Sequence, residues 1–376
     1  MRILLARPDI DEREIQSVTN VLRSGVLSLG PRTAEFEARF ARRFGRAYGV
    51  ALNSGTSALH VAVKALGLGP GDEVITTPYS FIASGNCLLY EGVRPVFVDI
   101  NPETLTLDAA QVEAAITPRT RGILPVHLFG QVCEMDVIRE IADRHHLKMI
   151  EDACEAIGAT WKGKPAGTWG EAAVFGFYPN KQITTGEGGM LLTDDPGLRD
   201  LALSLRNQGR DPGSQWLQHD RVGYNYRMSE LQAALGLVQL ERLEEILARR
   251  ADVAKRYIQL LRHYRVPVDL PRIPEACQIS WFVFIVILPQ GIQRERVIHH
   301  LGSNGIQSRA YFPVIHLQHD FYSRFDFRPG NFPVSETMAE RTLAIPFFNQ
   351  ITPKEQEKVI GELAIALKKE GFDANR

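Results

Sequence analysis

The chain has 376 residues, 44% of them hydrophobic and 23% charged, with a formal net charge of −1 at pH 7. That length is too great for one small core and predicts two domains, or one large α/β domain with an appendage. The near-zero charge balance gives no sign of a nucleic-acid footprint, and no apolar run reaches the roughly 18 residues of a membrane span. The opening residues, with Arg2 already charged, are too short an apolar stretch for a signal peptide. A cytoplasmic protein, with neither nucleic acid nor membrane as partner, is therefore expected. Cys87, Cys133, Cys154 and Cys277 are scattered, with no CxxC pair and no histidine at ligand spacing. They predict reduced, packed thiols and no metal site.

Apolar spacing predicts helices over 12–22 and 34–44, separated by the Gly25 and Gly30 turns. From residue 48 onward strands and helices alternate. Strands are expected at 48–52, 73–77, 95–100, 122–126 and 147–151, with helices at 57–66, about 82–90, 108–116 and 135–145 between them. Unbroken apolar strands in βα units predict a mostly parallel sheet covered on both faces. Two more strands, 172–177 and 189–193, flank Lys181. A long helical region at 229–261 is expected to link two domains, 1–250 and 251–376, with a proline-rich boundary loop at 266–276. A strand at 281–288, a helix at 294–301, a strand near 306–309 and helices at 335–342 and 353–369 complete a small α+β domain.

Chemistry concentrates at four places. Lys181 follows the aromatics Phe177 and Tyr178 and precedes Thr184, Thr185 and the glycine-rich run 186–189. That is a poor setting for a solvated charge. It suits an amine that must lose its proton and hold a carbonyl cofactor as an imine. Gly55, Thr56 and Ser57 stand between a strand and a helix, where backbone N–H groups bind phosphate; alone they read more readily as an ordinary N-cap. Asp152 ends a parallel strand, the edge where α/β sheets gather functional groups, and would hold a proton on a pyridine nitrogen. Phe81 follows another strand and would stack on a ring, although an aromatic there is also ordinary core. The order decides between these readings: phosphate turn, stacking aromatic, strand-end aspartate, lysine.

These motifs resemble the DegT/DnrJ/StrS family of sugar aminotransferases, which have the fold-type I architecture of pyridoxal-phosphate enzymes. The segments 27–37, 125–130, 151–156, 181–189 and 223–228 all match its pattern, so the resemblance covers nearly the whole chain. It implies a large domain with a seven-stranded sheet, a smaller C-terminal α+β domain, and pyridoxal 5′-phosphate as cofactor. Lys181 would carry the cofactor and Asp152 would pair with its ring nitrogen. Phe81 would stack on the ring, and Thr56 and Ser57 would bind its phosphate. Asn225 would reach the phosphate of a neighbouring subunit, which implies a homodimer with composite sites. Tyr311 and His316 match the substrate-side segment.

Two positions depart from the common pattern. Gly176 stands where many members place a phosphate-binding serine, which leaves a backbone or water contact. Glu155 stands where many have histidine or glutamine near the cofactor's phenolic oxygen, and its carboxylate would have to be protonated or turned away. The implied activity moves an amino group from L-glutamate to a 3-keto or 4-keto sugar nucleotide. The substrate diphosphate calls for cations, with Arg206, Arg210, Arg221, Arg227 and Arg309 as candidates and Arg227 favoured. A cyclitol or other cyclic ketone would use the same machinery. Dehydratases of the family replace the lysine with histidine, so Lys181 argues against dehydration. A non-catalytic regulator would need a broken site or an added module.

Overall fold

Strand alternation sorts the core of this α/β protein into two layers. The computed structural model describes residues 2–211, 213–215, 217–318 and 325–372. The first strands are β1 (Tyr48–Leu52), β2 (Glu73–Thr76), β3 (Arg94–Phe97), β4 (Thr120–Ile123) and β5 (Lys148–Asp152). A short ribbon, β6 (Thr160–Trp161) and β7 (Lys164–Pro165), precedes β8 (Ala172–Gly176) and β9 (Gly189–Thr193). The main sheet has seven strands in the order β1-β9-β8-β5-β4-β2-β3. Its pairs are parallel from β3 through β8, while β9 runs antiparallel to both β8 and β1. The expected mostly parallel seven-stranded sheet is therefore present, with one reversed strand.

Successive side chains point to opposite faces. Met149, Ala173, Phe175, Met190 and Leu192 pack on one side, with Phe36, Phe40 and Ile138. Ile150, Ala172, Val174 and Leu191 pack on the other, with Ala58, Leu59 and Val61. On the first face lies α2 (Pro31–Arg43), while α1 (Glu12–Ser24) packs against the helix Glu230–Glu241. Phe36, Phe40 and Phe44 recur every fourth residue and form one aromatic stack with Phe175 and Phe177. On the second face sit α3 (Gly55–Ala65) and α4 (Ala83–Leu89). The short α5 (Ala109–Val112) and α6 (Met135–Arg144) follow. The α7 helix (Pro196–Arg206) was not expected, although Asp195 caps it and Pro196 opens it.

The expected long helix is two helices, α8 (Glu230–Glu241) and α9 (Leu243–His263), broken at Arg242. Arg242 is buried and pairs with Asp9 and Glu14, so the break docks the N-terminal segment. Along α9, Ile246 packs in the main-sheet core, whereas Val253, Ala254 and Tyr257 pack in a second core with Phe284, Leu343 and Leu363. Ile3 joins that second core from the other end of the chain. There, β11 (Phe284–Ile287), β12 (Arg309–Ala310) and β13 (Thr342–Ile345) form an antiparallel sheet in the order β11-β13-β12. Helices Arg294–Ser303 and Pro353–Lys369 cover it, and Pro333–Arg341 leads into β13. The expected helix at 335–342 thus ends one residue early, and β13 is an addition. The remaining short strand β10 (Cys277–Gln278) joins β6 and β7 in a separate ribbon sheet.

Candidate active site

The C-terminal ends of β1, β2, β5 and β8 open onto a cavity of about 700 Å³, lined also by residues 311–313. Its floor is a backbone junction. Ser54 is extended and caps α3: its Oγ accepts the Ser57 N–H at 3.0 Å and meets the Ser57 Oγ at 2.8 Å. Ser57 is therefore spent on the cap and does not line the cavity. Gly55 and Thr56 do line it, and their N–H groups have no acceptor among the described residues. A helix N-terminus with unfilled donors is an anion seat.

Glycines let three chain segments meet there. A Cβ on Gly189 would lie 2.3 Å from the Ser54 carbonyl oxygen and 2.8 Å from the Gly55 nitrogen. A Cβ on Gly55 would lie 3.1 Å from the Cys154 Sγ and 3.3 Å from the Gly176 Cα. At Gly176 the atoms nearest a Cβ would be 3.4 Å away, an ordinary contact, so a Cβ is tolerated there.

Asp152 follows the parity of Ile150 and faces the cavity. Its Oδ2 accepts the Ser84 hydroxyl at 2.7 Å and its Oδ1 accepts the Cys154 N–H at 3.2 Å. Glu151 faces the other way and is closed off. It accepts N–H groups of Gly167, Trp169 and Gly170, and the Nε2–H of His127 at 3.1 Å. The Nδ1 of His127 accepts the Cys133 N–H. Burial alone would raise the Glu151 carboxyl, but His127 and those amides hold it below the usual range.

Lys181 lies in the β8–β9 connection. Thr184 and Thr185 build that turn, their hydroxyls donating to the carbonyls of Phe177 and Glu187. The Lys181 Nζ lies 3.2 Å from the Glu155 Oε1 and 4.1 Å from the centre of the Phe282 ring. The other Glu155 oxygen accepts the Phe129 N–H at 3.1 Å. Burial pushes the Glu155 carboxyl up against the opposing pull of Lys181. Asn180 donates to the Tyr311 hydroxyl at 3.4 Å, and its own amide oxygen is buried without a partner among the described residues. Burial pushes the Tyr311 hydroxyl up to about 12.

The cavity thus brings together Gly55, Thr56, Phe81, Asp152, Glu155, Gly176, Lys181 and Tyr311 from the sequence-derived set. The structure places the others elsewhere. Asn225 is exposed, between Tyr224 and Tyr226, whose hydroxyls bond to Glu91 and His60. Arg227 donates to the side chains of Asn207 and Gln208. Arg309 is exposed on β12 and donates to the Ser308 carbonyl. Of the other candidate cations, Arg206 is held by Glu37 and the Ala51 carbonyl, and Arg221 by Asp211.

His316 does not line the cavity: its side chain is buried against Phe332 and paired with Glu336 at 3.1 Å, in the segment after Tyr311. Ser54, Ser84, Asn180 and Phe282 line it without having been singled out. Asn180 was findable as the neighbour of Lys181. Phe282 sits in an apolar run that reads as plain strand, and Ser84 carries no sequence signal.

The sequence pattern of the DegT/DnrJ/EryC1/StrS aminotransferase family matches residues 8–364. GDP-perosamine synthase of Caulobacter vibrioides is 42% identical over 96% of this chain and 97% of its own. Spr1654 of Streptococcus pneumoniae, solved in its PMP form, superposes with a TM-score of 0.92 at 29% identity, over 98% of each chain. DesV of S. venezuelae superposes with a TM-score of 0.88 at 34% identity, over 98% of this chain and all of the other. With the lysine, the aspartate and the anion seat in one cavity, the match over almost the full length makes this chain a member of the DegT/DnrJ/EryC1/StrS aminotransferase family.

Proposed function

We propose that this protein transfers the amino group of L-glutamate to the ketone of a keto-sugar nucleotide, with pyridoxal 5′-phosphate as its cofactor, in the making of an amino sugar. One observation carries the reading: the Lys181 amine stands in a cavity that also holds a buried strand-end carboxylate, Asp152, and an anion seat at Gly55 and Thr56. The residues fit the cofactor. The unfilled amides of the α3 N-terminus suit its phosphate, Asp152 its ring nitrogen, Phe81 its ring face and Lys181 its aldehyde carbon. When bound, the cofactor supplies an electron sink for the charge left as the donor's α-proton departs.

The protein's own groups do the rest. Asp152, oriented by the Ser84 hydroxyl and the Cys154 N–H, keeps a proton on the ring nitrogen. With the cofactor bound, the Lys181 Nζ would take up the donor's α-proton and give it back to the cofactor's former aldehyde carbon, on the far side of the nitrogen being transferred. Residues 311–313 form one wall beside this exchange. Overall, the amino group passes one way and the carbonyl oxygen the other, so no external oxidant or reductant is needed.

The second copy in a homodimer completes the site in this reading. Among the described lining residues Asp152, Glu155 and Glu187 are acidic and Lys181 alone is basic, a poor match for a diphosphate. Asn225 and Arg227 lie outside their own cavity and are available to a neighbour's. Leu29 and Val222 are large apolar side chains left exposed away from the cavity, which suits a protein–protein surface. No helix among the described residues is long and apolar enough to cross a membrane, and we place the reaction in the cytoplasm.

The test is direct. Protein loaded with the cofactor should show an absorbance band that L-glutamate bleaches, and borohydride should fix the cofactor on Lys181. A band indifferent to every amino donor would sink the proposal. Pyridoxamine-loaded protein, offered a panel of 3-keto and 4-keto sugar nucleotides and one cyclitol ketone, identifies the acceptor.

A further inference from the structure

Lys181 must leave the cofactor in every turnover and return to it, so the place where its amine waits matters. The structure has such a place, built from residues distant in sequence. The amine lies within hydrogen-bond reach of one Glu155 oxygen, and its positive charge lies over the face of Phe282, 4.1 Å from the ring centre. Phe282 is only 1% exposed, so its ring is fixed by packing.

The backbone carrying that ring is fixed as well. Arg250, buried on α9, donates from Nε to the Trp281 carbonyl at 2.7 Å and from Nη2 to the Phe282 carbonyl at 2.6 Å. Ser280 donates its N–H to the Gly130 carbonyl at 3.0 Å. A Cβ on Gly130 would lie 2.8 Å from the Trp281 nitrogen, so this approach needs glycine. Gln182, the residue after the lysine, donates to the Ser280 carbonyl at 3.1 Å and to the Glu155 carbonyl at 2.6 Å. One amide side chain thus ties together the lysine loop, the Glu155 backbone and the Phe282 segment.

We propose that Phe282 and Glu155 form a holding place for the Lys181 amine while it is not bonded to the cofactor, with Phe282 as a positioning residue set by Arg250 and Gln182. The proposal rests on Lys181 being the cofactor-bearing lysine. An aromatic face suits a waiting ammonium because it attracts the charge without a directional bond. A second carboxylate would pin the amine. A purely aliphatic wall would exclude water from that side of the charge and put nothing in its place. With one carboxylate oxygen and one ring, the amine is kept at hand and stays free to move.

The consequence is thermodynamic. Whatever stabilises the free lysine favours the pyridoxamine form of the enzyme, in which Lys181 is free, over the form in which Lys181 holds the cofactor. The experiment is a spectrophotometric titration of the loaded enzyme across ratios of L-glutamate to 2-oxoglutarate, reading the fraction of cofactor in each form. Phe282→Leu should raise the ratio needed for half-conversion by about threefold to tenfold. Phe282→Tyr, which keeps the ring face, should restore the wild-type midpoint within about twofold. A Phe282→Leu midpoint equal to wild type overturns the proposal, because an effect on folding or loading alone does not move the balance between two loaded forms.

Should Phe282→Leu fail to take up cofactor, Arg250→Lys replaces it. That variant keeps the ring and loosens its clamp, so the midpoint should move in the same direction by a smaller factor. An unmoved midpoint in Arg250→Lys is then the overturning result. Borohydride treatment of the wild type separates the two levels. If cofactor is not fixed on Lys181, the functional reading itself is wrong, whatever Phe282 does.

Discussion

Glu151 and Asp152 are consecutive acids on one strand, and the strand's alternation sends them to opposite destinies. Glu151 is closed off by three backbone amides and His127, and nothing further can reach it. Asp152 is held by two donors and still faces a cavity. The lesson is that burial and a full set of partners mark an acid that fastens the fold. A buried acid with an open side marks one that works. Sequence neighbours with the same chemistry differ here only in which layer they enter.

The comparison breaks most sharply at the lysine that Asp152 serves. Lys181→Ala should lower the glutamate half-reaction by about 10³-fold or more, since no other described amine lines the cavity. Stopped-flow bleaching of the cofactor band measures it. Asp152→Asn should cost about 10² to 10⁴-fold in the same assay while leaving the melting temperature nearly unchanged.

Glu151→Ala should do the reverse. Removing one partner of a closed buried pair costs about 3–5 kcal/mol of stability, seen as a lower denaturant midpoint, and the folded fraction should turn over within about threefold of wild type. Equal loss of rate in both variants would erase the distinction between the two faces. Gly189→Ala tests the junction under the anion seat. A Cβ 2.3 Å from the Ser54 carbonyl must push the backbones apart, at a cost of about 1–3 kcal/mol and with weakened cofactor retention on dialysis.

Acid sharpens the contrast further. The Glu151 carboxyl is depressed in the folded protein, so its contribution is complete above the ordinary glutamate value of 4.5 and is lost as pH falls below it. Glu155 is raised, so the cost of burying it is relieved earlier, as pH falls toward 4.5, and is level below that value. Denaturation midpoints from pH 6 to pH 3 should therefore fall less in Glu151→Ala than in wild type. The smallest effect is expected of Gly176→Ser. An added Cβ there meets its nearest atoms at 3.4 Å, and the hydroxyl it carries should tighten phosphate retention by only a few-fold, read by cofactor dissociation.

The comparison also explains what could be read in advance. The sheet and the cofactor side were legible because each relies on local rules. A turn feeds a helix N-terminus at Gly55, an acid ends a strand at Asp152, and a lysine precedes glycines at Lys181. The rest depends on tertiary placement. Arg242 breaks a helix because two acids far away in sequence draw its side chain inward. Phe282 reads as core because it is core, on the edge that meets the amine. His316 has the composition of a substrate ligand, yet its surroundings are phenylalanine rings and Glu336. Which layer a side chain enters is set by register, and register between distant segments is not written in either one.

The reversal of β9 has one more consequence. Because β8 and β9 pair antiparallel, with Gly176 opposite Gly189, the connection bearing Lys181 leaves and re-enters the sheet at the same edge. It is an arch with both feet set in the interior of the ladder. An ordinary βα connection would rest one foot on a helix free to slide. Tyr311 and Phe312 pack elsewhere, with Tyr79 and Phe129, and Tyr311 meets the arch through the Asn180 amide, so a substitution there reaches the arch through that contact while both of its feet stay set in the ladder.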